Sequence, residues 1–163
     1  MNVIRPLKRD DWKAISIIYA QGIATKIATF ETVVPEWKDW DKKYVKSCRI
    51  VAEIKDLVVG FGVLSPVSQR EVYKGVAEVS IYVDEQFRGK GIGRSLLEEL
   101  ITASERDGFW SLQASIFSEN DVSIELHKKC GFRVVGIKEK IGQRDGKWHD
   151  NHVLERRSKI IGT

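Results

Sequence analysis

Apolar and polar positions alternate from Ala77 to Val83, with Val79, Ile81 and Val83 set against Glu78, Ser80 and Tyr82. That period predicts a half-buried strand. Directly after it, Ile92, Leu96, Leu97, Leu100 and Ile101 recur at helical spacing, so a helix follows with one face turned to a core. The same reading extends along the chain. NVIRPL is a short strand ended by Pro6, and Asp10 and Asp11 are placed to cap a helix carrying Trp12, Ile15, Tyr19 and Gly22 on one face. Pro35 suits the first turn of a second helix with Trp37, Trp40, Tyr44 and Val45, aromatics for a core or a lid. RIVAEIKDLVVGFGVLSPV reads as two strands turning near Lys55 and Asp56, followed by a polar loop from Pro66 to Gly75. Beyond the central helix, WSLQASIF alternates as a strand, and SENDVSIELHKKCG opens on helix-capping residues and closes on Gly131. The last stretch, FRVVGIKEKIGQRDGKWHDNHVLERR, forms a hairpin turning at Arg144, Asp145 and Gly146. Strands alternating with helices make the fold class α/β, or α+β by some schemes.

Composition narrows this to a single domain over residues 1–163, long enough to bury a core without staples. Cys48 and Cys130 lack CxxC spacing, which points to neither zinc nor a disulfide framework and favours a cytoplasmic location. MNVIRPLKRDD is charged within a few residues and is not read as a signal peptide, and no membrane segment is expected. The net charge of +4 comes from scattered basic residues, which suits a small anionic ligand better than a nucleic acid.

Between the central strand and its helix lies RGKGIG, Arg88 to Gly93. Glycines allow a tight turn whose free N–H groups point outward at a helix N-terminus, and Arg88, Lys90 and Arg94 add positive charge. This is a phosphate cradle. It lacks the Gly-Lys-Ser/Thr of a P-loop and fits a dinucleotide fingerprint poorly. A glycine turn that binds nothing is the weaker alternative, since three glycines at a helix start cost helix propensity without return.

The pattern Arg88-x-Gly-x-Gly behind a strand resembles the acyl-CoA-binding motif of the GCN5-related N-acetyltransferases (GNAT). The order of elements over essentially the whole chain is similar to theirs. TFE at Thr29 to Glu31, AEVSIYV at Ala77 to Val83, NDVSIELHKKCGF at Asn120 to Phe132 and DGKWHD at Asp145 to Asp150 resemble the phosphinothricin acetyltransferase-like subfamily. The resemblance implies a GNAT fold, a mixed sheet of about seven strands with flanking helices. It implies acetyl-CoA as co-substrate, no metal, and a small amine acceptor of the methionine sulfone, methionine sulfoximine or phosphinothricin type. It also implies a homodimer.

Acyl transfer from a thioester to an amine needs a base for the amine, an acid for the thiolate and a donor for the oxyanion. By periodicity alone Glu78 is a solvated strand carboxylate. The resemblance makes it the general base. Asn120, Ser123 and His127 share one stripe of a helix while Val122, Leu126 and Cys130 face elsewhere. His127 read alone is a surface histidine, whereas by resemblance it stands where relatives carry a tyrosine acid. The resemblance further assigns the cofactor to Arg88, Gly89, Lys90, Gly91, Ile92, Gly93 and Arg94, to Asn120 and Ser123, and to the backbone of Ile81, Tyr82 and Val83 beside a bulge. It assigns the acceptor to Phe30, Glu31, Arg70, Tyr73, Lys74, Trp148 and Asp150, with Arg70 as the carboxylate clamp. His149 and His152 fall on opposite faces of a strand and cannot share a metal, whereas Trp148, Asp150 and His152 share one face. Trp148 reads equally as a packed hairpin aromatic. The other classes open at this point are an acetyltransferase for peptides or polyamines and a non-enzymatic acyl-CoA-binding module.

Overall fold

The computed structural model describes all 163 residues. Seven strands form one sheet: β1 (Val3–Pro6), β2 (Ile50–Ile54), β3 (Leu57–Pro66), β4 (Val76–Val83), β5 (Ser111–Phe117), β6 (Arg133–Arg144) and β7 (Lys147–Arg157). Four helices join them: α1 (Trp12–Ala24), α2 (Trp37–Lys43), α3 (Ile92–Arg106) and α4 (Asp121–Lys129). The sheet order is β1-β2-β3-β4-β5-β7-β6, and only β4 and β5 run parallel. The order of elements is the one the hydrophobic pattern predicts. Lys55 and Asp56 both take positive φ in the β2–β3 turn, as do Asp145 and Gly146 between β6 and β7. Both central residues with positive φ is the geometry that matches the twist of a two-residue hairpin.

The sheet is buried on both faces where the site lies. On one face Leu96, Leu97 and Leu100 of α3 are fully buried against Leu64, Val79, Leu112 and Leu154. On the other, Ile15, Ile18 and Tyr19 of α1 and Trp40 of α2 enclose Val51, Phe61 and Val63. This double coverage explains the nearly unbroken apolar run through β2 and β3.

Two boundaries differ from the sequence pattern. Helix α2 starts at Trp37 behind an extended Glu36, and it stops at Lys43, so Pro35, Tyr44 and Val45 lie outside it. Its C-terminal end is set by tertiary contacts: the Val45 amide donates to the Leu64 carbonyl at 2.8 Å, and the Tyr44 ring packs against Trp40. Asp11 does not cap α1 through its side chain. Its carboxylate receives both Arg5 nitrogens at 2.9 Å and the Lys8 amide at 2.7 Å, which fixes a 3-10 turn leading into the helix.

Candidate active site

Strands β4 and β5 pair only from Val76 to Glu78, opposite Ser111 to Gln113. Beyond that point they diverge. The edge of β4 that carries Ile81, Tyr82 and Val83 therefore faces no strand, and its backbone groups on that side are open to a ligand. The bulge implied by resemblance is absent: β4 keeps an unbroken register with β3 from Ala77 to Val83. Splaying alone opens the gap.

A cleft of about 380 Å³ fills this gap. Glu78, Ser80 and Tyr82 form its β4 wall, Ser115 and Phe117 its β5 wall, and Asn120, Ser123 and His127 its α4 wall. Thr29, Phe30 and Glu31 close it from the α1–α2 loop, beside Lys43 and Tyr44, and Asn151 of β7 completes it. The alternating polar face of β4 is thus turned to a cleft instead of to open solvent. Phe30 is held there by Phe117, with ring centroids 4.4 Å apart, and by Gly142, where any Cβ would come within 2.6 Å of its ring.

Electrostatics distinguish two groups in the cleft. Burial pushes the Glu78 carboxyl above its ordinary value, opposed by the nearby charges of Lys43 and Lys138. A carboxylate whose pKa is raised by burial is a stronger proton acceptor than an exposed one. His127 is 5% exposed, and its Nδ1 lies 2.7 Å from the Ser123 carbonyl oxygen. A carbonyl only accepts, so Nδ1 carries the proton and Nε2 of the neutral ring is an acceptor. Burial lowers the His127 pKa below its ordinary value and so favours the neutral ring, which in this tautomer carries no proton on Nε2. The acid role that resemblance implied for His127 is not supplied by this arrangement. Tyr44 and Tyr82 are held protonated by burial and offer hydroxyl groups, not bases.

The cradle lies at the other end of β4. Gly89 and Gly91 adopt φ of +74° and +80° with open space beside them, and Gly91 is the residue from which α3 starts. No amide from Arg88 to Arg94 has an acceptor within the protein; the first to be bonded is that of Ser95, to the Gly91 carbonyl at 3.1 Å. Seven consecutive unpaired donors at a helix N-terminus fit a pyrophosphate. Gly93 serves differently: it lies within the helix, and a Cβ there would sit 3.2 Å from Leu126 of α4. Asn120 caps α4, accepting from the Ser123 amide at 3.2 Å.

Other residues predicted for the acceptor stand apart. Arg70 lies over the Tyr73 ring at 5.4 Å, and Lys74 pairs with Glu71 at 2.7 Å, in the loop before β4; none of the three lines the cleft. Trp148 is 55% exposed, and Asp150 accepts from the Lys140 amide at 2.7 Å, so neither reaches it either. No group of three or more His, Cys, Asp and Glu is placed to hold a metal ion. No helix is long and apolar enough to cross a membrane.

Residues 16–132 match the model of the Acetyltransferase (GNAT) family. The chain belongs to the GNAT family. It is an acyl-CoA-dependent N-acetyltransferase, which removes the non-enzymatic binding module from consideration. Phosphinothricin N-acetyltransferase of Alcaligenes faecalis is 31% identical over 159 residues, covering 94% of this chain and 81% of that protein. An L-methionine sulfoximine/L-methionine sulfone acetyltransferase of Pseudomonas paraeruginosa is 37% identical over 146 residues, covering 86% of this chain and 85% of that one. The structure of a GNAT superfamily phosphinothricin acetyltransferase from Sinorhizobium meliloti in complex with AcCoA superposes with a TM-score of 0.87 at 26% identity, covering 99% of this chain and 95% of that one. The GNAT family match ends at Phe132, before the β6–β7 hairpin.

Proposed function

We propose that this enzyme transfers the acetyl group of acetyl-CoA to the amine of a small amino-acid-like acceptor of the methionine sulfone, methionine sulfoximine or phosphinothricin type. The observation that carries this reading is the placement of a half-buried Glu78, under the charge of Lys43, on the wall of a small cleft that opens where β4 and β5 part. The relatives named for these acceptors support it. In this reading the cradle from Arg88 to Arg94 holds the pyrophosphate of acetyl-CoA, and the pantetheine arm passes Asn120 and Ser123. Unpaired amides along β4 receive the oxyanion.

Glu78, directly or through a water, takes a proton from the acceptor's ammonium. The freed amine attacks the thioester carbon and the C–S bond breaks. A second proton moves from the acceptor nitrogen to the departing sulfur as the amide forms, which removes the need for a protonated His127. Neutral His127 then receives a hydrogen bond at Nε2.

Lys43 is the cation on the cleft wall and holds the acceptor's carboxylate; Arg70 and Tyr73, outside the cleft, are secondary. Lys43→Ala raises KM for a carboxylate acceptor about tenfold and leaves KM for acetyl-CoA unchanged, because a hydrogen bond to a charged group is lost. The variant also shifts the acid limb of the kcat/KM profile to higher pH, since the lysine holds the Glu78 pKa down. Steady-state kinetics with an acid and its amide check both effects. A larger rise for Arg70→Ala would return the clamp to Arg70.

We place the enzyme in the cytoplasm as a homodimer. Exposed Val135, Ile137, Ile141 and Trp148 on the outer hairpin support the pairing. Light scattering checks this: twice the 18.6 kDa chain mass is expected, and the single-chain mass at working concentration contradicts it.

A further inference from the structure

Asp150 does not reach the cleft, but its carboxylate holds a main-chain amide of the neighbouring strand: Oδ1 accepts from the Lys140 N–H at 2.7 Å. That amide belongs to an irregularity in β6. Lys138 pairs with Asn151 and Gly142 with His149, so Glu139, Lys140 and Ile141 together stand opposite Asp150 alone. Lys140 takes a φ of +44°, a left-handed backbone that residues with a side chain seldom adopt. An antiparallel strand with surplus residues bends there and re-aims the side chains that follow.

The residues after this bulge are the ones that meet the Thr29 to Glu31 loop. β6 is exposed from Arg133 to Ile141 and turns inward only at Gly142 and Arg144. A Cβ on Gly142 would come within 2.6 Å of the far edge of the Phe30 ring, so a larger residue there displaces the ring. Two residues on, Arg144 is buried, with Nη1 donating to the Thr29 carbonyl at 3.1 Å and Nε left without an acceptor. A guanidinium placed by its own hydrogen bonds would not leave a buried N–H unpaired, so it is the strand that sets its position. His149, opposite Gly142, packs its ring 4.8 Å from Phe117, which lies 4.4 Å from Phe30. The hairpin thus holds from outside the loop that closes the cleft containing Glu78.

We propose that Asp150 is a positioning residue for this wall of the cleft: by holding the Lys140 amide it fixes the bulge in β6, and the bulge sets Gly142 under Phe30 and Arg144 on the Thr29 carbonyl. The effect on the acceptor rests on the reading of the cleft as the acceptor site; the placement of Phe30 does not. Asp150 acts through a hydrogen bond that its shape supplies and its charge does not.

Two readouts test this on Asp150→Ala, Asp150→Asn and Gly142→Ala. The first is fluorine NMR of protein labelled with fluorophenylalanine, with the Phe30 resonance among the six assigned by its loss in Phe30→Leu. It should move in Asp150→Ala and Gly142→Ala and stay in place in Asp150→Asn, which keeps an oxygen for the Lys140 amide. The second is steady-state kinetics with methionine sulfoximine. Asp150→Ala and Gly142→Ala should lower kcat/KM by about tenfold or more, mainly through the acceptor's KM, with KM for acetyl-CoA unchanged. Asp150→Asn should stay within about twofold of wild type, whereas a carboxylate that bound the ammonium or moved a proton would fail as the amide. A Phe30 resonance that ignores Asp150→Ala, a resonance that moves without any rise in the acceptor's KM, or an Asp150→Asn as impaired as Asp150→Ala overturns the inference. If Asp150→Ala does not fold, an unmoved Phe30 in Gly142→Ala overturns it instead. If wild type does not acetylate the sulfoximine, the acceptor reading falls, and the Phe30 resonance alone decides whether Asp150 places the wall.

Discussion

Glu78→Gln lowers kcat and kcat/KM together by about 100-fold or more, because glutamine keeps the shape of the side chain but cannot accept the acceptor's proton. Affinity for coenzyme A stays near wild type, since the cradle is at the opposite end of β4. The same variant is expected to be no less stable. Burial raises the folded-state pKa of Glu78, so the stability contributed by its neutral form is full below about 4.5 and is lost as pH rises through the folded value. Glutamine escapes that loss, and at pH 7 the variant should melt at or above the wild-type temperature. Lower turnover with an equal or higher Tm is the signature of a catalytic carboxylate held in an unfavourable setting. An unchanged rate would return Glu78 to an ordinary strand residue.

Gly91→Pro abolishes stabilisation by coenzyme A. Proline cannot adopt the φ of +80° found there, and it deletes one of the seven unpaired amides. Free coenzyme A at about 100 times its Kd stabilises the wild type by about 2.7 kcal/mol, or roughly 5–10 °C in Tm for a chain of this size. Gly91→Ala separates binding from folding. Nothing lies within 4 Å of its Cβ position, so the cost is the left-handed backbone alone, about 1–2 kcal/mol. The new methyl group also stands in the cradle. Its coenzyme A shift should therefore shrink while the apo protein still unfolds cooperatively. A full wild-type shift in Gly91→Pro would contradict the assignment of the cradle.

Local signals in the chain carried the cradle and the α4 stripe. Gly89 and Gly91 announce left-handed positions, and spacings of three and four residues put Asn120, Ser123 and His127 on one side of a helix, where all three meet the cleft. Alternation put Glu78 on the polar phase of its strand but read it as a solvated carboxylate, and only the family resemblance pointed to a role for it. What alternation cannot reveal is which phase meets a site. On β7, Trp148, Asp150 and His152 do share a face, but the cleft is reached by the other phase, through Asn151. His149 of that phase packs its ring 4.8 Å from Phe117. That choice depends on the pairing of β7 with β5, a long-range register.

Arg70, Tyr73 and Lys74 show a related limit. They precede Glu78 closely in sequence, yet the turn before β4 directs them away from the cleft, while Lys43, 35 positions upstream, is brought to its wall by α2. The protonation of His127 is likewise a packing result, set by the Ser123 carbonyl one helical turn back and by its burial beside Phe132.

The most direct test is to incubate the purified enzyme with acetyl-CoA and methionine sulfoximine, following thiol release together with the mass of the acceptor. One thiol per N-acetylated acceptor, absent without acceptor and strongly reduced in Glu78→Gln, is the predicted result. Thiol release that ignores the acceptor, or acetylation of peptides and polyamines with none of a small carboxylate-bearing amine, would contradict it.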